Sequence, residues 1–130
     1  MTRTLHVETW GEADAPRVVC LHGVTGRGAG WHRLAQGWLA EYHVLAPDLI
    51  GHGDSPYEPP WSIGEHLGAI VATVGTEPAA WIGHSFGGRL ALELAEDGQL
   101  PEEARHAVAV AETGRGVGVD LDEARPRGGE

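Results

Sequence analysis

The chain has 130 residues, 42% of them apolar, and a formal net charge of −10. That length fits one domain with a modest core, able to hide about two-thirds of the surface its unfolded chain exposes. The acidic balance speaks against a nucleic-acid partner, which needs a basic patch, and against an anionic membrane.

Leu5 to Trp10 alternates weakly and reads as a strand, followed by a turn-rich loop from Gly11 to Pro16. Val18 to His22 is a continuous apolar run between turn signals, the pattern of a strand buried on both faces. It contains Cys20, the only cysteine, so no internal disulfide forms and a buried, inert thiol is expected. A glycine-rich loop runs from Gly23 to Gly30. Trp31, Leu34, Trp38 and Leu39 then recur at helical spacing, predicting a helix from Trp31 to Tyr42. Val44-Leu45-Ala46 is a second buried strand, ended by Pro47, and Asp48 to Pro60 is a polar loop. Ser62 starts a helix with Glu65 at capping-box spacing, and Ile63, Leu67, Ile70, Val71 and Val74 form its apolar stripe. Pro78 opens a strand that leads to Gly83. Phe86 to Asp97 reads as a helix with Leu90, Ala91, Leu94 and Ala95 inward, stopped by Gly98 and Pro101. Ala107 to Ala111 is the last strand.

Strands and helices therefore alternate. This predicts a three-layer α/β/α sandwich with a mostly parallel sheet over residues 1–112, and a poorly ordered tail over 113–130. Trp31, Trp38 and Trp81 fit core positions, while Trp10 and Trp61 flank loops. No apolar leader or membrane-length run is visible, so a cytoplasmic location is expected.

The chemistry concentrates at Gly83-His84-Ser85-Phe86-Gly87. A serine between glycines, at a strand-to-helix junction, is the pattern of a nucleophile elbow. In a parallel sheet the loops after successive strands share one rim, which brings His22-Gly23-Val24, Asp48 to Ser55 and the elbow together. Attack by Ser85 on an acyl carbonyl creates an oxyanion that needs fixed N–H donors. Phe86 N–H, at the positive end of a helix, is one, and Val24 N–H in the glycine-opened loop is the other.

These segments, with Asp48-Leu49-Ile50-Gly51-His52-Gly53-Asp54-Ser55, resemble the α/β-hydrolase fold superfamily over about residues 5 to 112. The resemblance implies a serine hydrolase of ester or related acyl bonds, with Ser85 as nucleophile and Val24 and Phe86 at the oxyanion hole. It further implies an acid and a histidine downstream of the serine. His106 is the only histidine after Ser85. It opens the last strand on the opposite rim, about 17–20 Å away, too far for a general base.

His22, Gly23, His84 and His52 are expected to line the site, with His22 ordering the oxyanion loop. Asp48 and Asp54 read as loop-ordering carboxylates. Glu112 ends the last strand on the active rim, and Asp120 and Asp122 read as solvated tail charges. No cofactor is implied, and no histidine–carboxylate spacing matches a metal site.

Two rivals remain. Gly26-Arg27-Gly28-Ala29-Gly30 resembles part of a dinucleotide-binding turn, but its third glycine position falls on Trp31. The stronger rival is a truncated, inactive fragment or a small-molecule-binding pseudoenzyme. Ending the sheet at the last strand would leave an edge open to self-association.

Overall fold

The computed structural model describes residues 3–97, 100 and 105–111. Five strands form one sheet: β1 (Val7–Trp10), β2 (Arg17–Leu21), β3 (His43–Pro47), β4 (Ala79–His84) and β5 (Arg105–Ala111), in the order β1-β3-β2-β4-β5. All neighbours pair in parallel except β1, which runs antiparallel to β3. The α/β/α sandwich read from the sequence is the architecture found, with strand ends shifted by a residue or two.

β2 lies at the centre, and its four residues from Val18 to Leu21 are fully buried. Its period-two pleat divides them between the helix layers. Val18 and Cys20 face α1 (His32–Gln36), joining Ala35 and Leu39. Val19 and Leu21 face α2 (Ile63–Val74) and α3 (Phe86–Asp97), joining Leu67, Ile70, Leu90 and Leu94. Burial pushes the Cys20 thiol up to about 12, so it carries no thiolate near neutral pH.

α2 starts as its sequence suggests: Ser62 Oγ accepts the Glu65 N–H at 3.2 Å. The Glu65 carboxylate faces the Arg3 guanidinium at 3.6 Å, a partly exposed ion pair that adds little. Leu67, Ile70 and Val74 are buried, with Ile63 and Val71 packed against the same cluster. Gly75, at φ +80°, ends the helix.

The region after the glycine-rich loop differs from expectation. A continuous helix from Trp31 to Tyr42 is replaced by a 3-10 turn at Gly28–Trp31, the short α1, and further turns. Gly37 breaks the helix, and the Leu39 N–H returns to Leu34 O at 2.9 Å. That turn buries Leu39 and leaves Trp38 80% exposed, so Trp38 is not a core residue. Trp81 is buried as expected, and Trp31 packs half-buried against the α1 cluster. Ala95 is only half-buried on α3.

No helix among the described residues is long and apolar enough to cross a membrane. Glu112, Asp120, Asp122 and the 113–130 tail lie outside the described residues.

Candidate active site

The parallel order puts the ends of β2, β3 and β4 on one rim. Ser85 directly follows β4 at φ +54°, the only described non-glycine residue with positive φ, and it is exposed. Such a backbone stores about 1–3 kcal/mol, held in place by the surrounding structure. Here that structure is close backbone packing. A methyl group at Gly83 would stand 2.4 Å from Gly88 Cα, and one at Gly87 would stand 2.1 Å from Leu21 O.

The Ser85 carbonyl accepts the Arg89 N–H at 3.1 Å, so Ser85 opens α3. Phe86 is therefore the first helical residue, and its N–H has no partner within the helix. Its half-buried ring meets His66 edge to face, with centroids 5.3 Å apart. His66 is 5% exposed and its Nδ1 is buried without a hydrogen-bond partner. His66 was not legible as a site neighbour. Its only sequence signal is a histidine beside Leu67 on the inward face of an amphipathic helix.

The loop after β2 abuts the elbow. A methyl at Gly23 would lie 3.2 Å from His84 Nδ1 and 3.4 Å from Ser85 Cβ. His22, 4% exposed, lies beneath this loop. Its Nε2 accepts the Leu49 N–H at 3.0 Å, so the proton sits on Nδ1, which donates to Gly23 O at 2.6 Å. Burial pushes this ring below the ordinary imidazole range, against the Gly23 bond that raises it. His22 is a loop-ordering group, as anticipated. His52 reaches Val24 O through Nε2 at 2.5 Å and Ile50 O through Nδ1 at 3.0 Å. His22 thus uses both ring nitrogens away from Ser85, and His52 turns both of its nitrogens toward backbone carbonyls, donating to one of them. His106 stands at the other end of the sheet: β5 pairs Arg105 with Ala79 and Ala111 with His84.

Asp48 organises the rim. Fully buried, it accepts the Gly28 N–H at 2.7 Å and the Asp54 N–H at 2.9 Å. Its carbonyl accepts from Ser55 Oγ, which in turn accepts the His6 N–H. Asp54 pairs with Arg27 at 3.2 Å. The loop-ordering role read for Asp48 is the one observed, whereas the exposed Asp54 carboxylate meets Arg27 and it is the Asp54 N–H that joins the loop network. The Gly28 N–H, which a dinucleotide phosphate would need, is already spent on Asp48. His6, Asp48 and Asp54 bring ligand atoms within 4.8 Å of one another. Asp48 has both oxygens engaged by backbone N–H groups, Asp54 pairs with Arg27, and the His6 ring bonds Glu8.

A pH dependence follows. The folded-state pKa values of His22 and His66 are both lowered, chiefly by burial. Below about pH 6.5 the unfolded chain takes up protons that the folded chain refuses, so stability falls as pH falls. His6 has the opposite sign, raised by its bond to Glu8, but it is solvent-screened. The urea midpoint is expected to be lower at about pH 5 than at about pH 7. In His22→Ala the fall over that window is expected to be smaller. An equal fall would remove His22 from the account.

Known proteins resemble this chain in sequence and in fold. The sequence profile of the alpha/beta hydrolase fold matches residues 16–129. Lipase LipV of Mycobacterium tuberculosis is 46% identical over 94 residues, covering 70% of this chain and 36% of that protein. The pimeloyl-(acyl-carrier protein) methyl ester esterase of Methylococcus capsulatus is 39% identical over 92 residues, covering 70% of this chain and 35% of that protein. Among solved structures, the 2-hydroxy-6-oxo-6-phenylhexa-2,4-dienoate hydrolase of Rhodococcus sp. strain RHA1 superimposes with a TM-score of 0.70 at 27% identity. That match covers 84% of this chain and 44% of the other. The thioesterase domain from the curacin biosynthetic pathway gives 0.64 at 31% identity, covering 71% and 37%. The chain spans about a third of the length of the curated relatives it matches.

Proposed function

This chain belongs to the α/β-hydrolase fold family, and on that footing we propose that it carries the nucleophile half of a serine hydrolase acting on ester or related acyl bonds. The observation that carries this is Ser85, exposed at φ +54° where β4 turns into α3. Names among the relatives, a lipase, a methyl ester esterase and a thioesterase, support an acyl substrate.

In this reading Ser85 Oγ attacks the carbonyl carbon. The carbonyl oxygen takes the negative charge, held by the Phe86 N–H at the positive end of α3 and by the Val24 N–H. Collapse expels the alcohol or thiol and leaves Ser85 acylated. Water then releases the acid. The attack needs a base within hydrogen-bond reach of Ser85 Oγ. His22 and His52 are engaged elsewhere.

That engagement favours a second reading, in which the 130-residue chain binds acyl compounds without turning them over. Added imidazole separates the two. With p-nitrophenyl acetate, Ser85 is expected to become acetylated, as peptide mapping would show. Imidazole should restore part of the ~10²–10⁴-fold that a positioned base supplies. Ser85→Ala sets the background for imidazole's own reaction with the ester. Binding of the ester with no acetyl group on Ser85, even with imidazole, overturns the hydrolase reading and supports the second.

A further inference from the structure

We propose that His52 is a positioning residue for the oxyanion hole, holding the Val24 N–H in place through the Val24 carbonyl. The inference rests on the reading of Val24 given above.

Val24 is 63% exposed, so side-chain packing does little to fix its backbone. The two peptide planes that flank its Cα must be held by hydrogen bonds instead. The first is the Gly23–Val24 peptide. Its oxygen accepts from His22 Nδ1 at 2.6 Å and from the Gly26 N–H at 2.9 Å. A trans peptide is planar, so the Val24 N–H points away from those two donors. The second is the Val24–Thr25 peptide, whose oxygen is met by His52 Nε2 at 2.5 Å. With both planes held, φ and ψ of Val24 are bounded on either side.

Both rings stand against the same stretch of chain, Leu49 and Ile50. His22 is tied to the Leu49 N–H, and His52 faces the Ile50 carbonyl at 3.0 Å. Leu49 and Ile50 are buried at 0% and 2% exposure, so they are fixed points. The two rings stand edge to face, with centroids 4.8 Å apart. His52 itself is located by Gly51 at φ +81° and Gly53 at φ +51°. A methyl at Gly53 would stand 2.2 Å from Asp48 Oδ2, so the turn that aims His52 is set by the buried aspartate. A neutral imidazole has one N–H and serves one of the two carbonyls. The shorter contact assigns it to Val24.

Two substitutions in the full chain test this. His52→Leu fills much of the ring's volume without a donor, and His52→Gln keeps an N–H. His52 is half-exposed, so both variants are expected to fold. In His52→Leu the Val24 and Gly26 amide resonances should move. Ser85 acetylation by p-nitrophenyl acetate in imidazole should slow about tenfold, a fraction of the ~10²–10³ that one oxyanion donor supplies. His52→Gln should recover both. Unchanged loop amides in His52→Leu overturn the proposal. So does equal impairment of the two variants, which would mean that ring packing matters and the donated hydrogen bond does not. If wild-type Ser85 takes no acetyl group, the hydrolase reading fails, and the loop amides alone decide the role of His52.

Discussion

Asp48→Ala is expected to lower folding stability by about 3 kcal/mol, read as a fall in the urea midpoint at unchanged slope. Asp48 is fully buried and its two oxygens receive the Gly28 and Asp54 N–H groups at 2.7 and 2.9 Å. Truncation orphans the Gly28 N–H inside the protein, whereas Asp54 is exposed and rehydrates. A buried unpaired donor costs about 1–3 kcal/mol, and a bond to a charged acceptor is worth about 1.5–3. The ion pair with half-exposed Arg27 at 3.9 Å adds little. Asp48→Asn keeps one acceptor but turns an NH2 toward the other donor, so an intermediate loss is expected. A loss in Asp48→Ala within about 0.5 kcal/mol, the range of ordinary surface changes, would contradict the role assigned to this carboxylate. The same substitution should slow Ser85 acetylation, because Asp48 joins the glycine-rich loop to the loop that carries His52.

Gly87→Ala is expected to lose about 3 kcal/mol, the upper end of overpacking costs, together with Ser85 acetylation. The new methyl would stand 2.1 Å from Leu21 O, 2.5 Å from Leu21 C and 2.6 Å from His22 O. All three are backbone atoms, and Leu21 lies in the central strand, so no side-chain rotation relieves the clash. α3 must move away from the end of β2. That shift separates the Phe86 N–H from the Val24 loop and relaxes the turn at Ser85. Two controls isolate the steric cause. Gly30→Ala meets nothing within 4 Å and should be near neutral. Gly64→Ala, in the first turn of α2 with only Ser62 Oγ at 4.0 Å, should stabilise by about 0.5–1 kcal/mol. If Gly87→Ala behaved like Gly30→Ala, the close approach of α3 to β2 would be wrong.

Much of the rim was readable residue by residue. Ser85 was legible because a left-handed serine needs small neighbours, and Gly83, Gly87 and Gly88 stand beside it. Asp48 was read as a loop-ordering group because short carboxylates seek nearby N–H groups. Its Gly28 partner, 20 residues away, had no local signal. His52 was read as lining the site, but its bond to Val24 spans 28 residues. Trp38 misled because helical spacing promised a stripe that Gly37 interrupts.

The order of strands and helices, the buried character of β2 and the elbow at Ser85 were written in the chain. Each depends on neighbours within a few positions: apolar runs, caps and glycines. The meeting of His22 and His52 under Val24, the His66–Phe86 contact and the burial of Asp48 depend on the sheet order β1-β3-β2-β4-β5. That order brings distant loops onto one rim. Pairing between such loops is set by strand register and helix packing, and no local pattern of residue types encodes it.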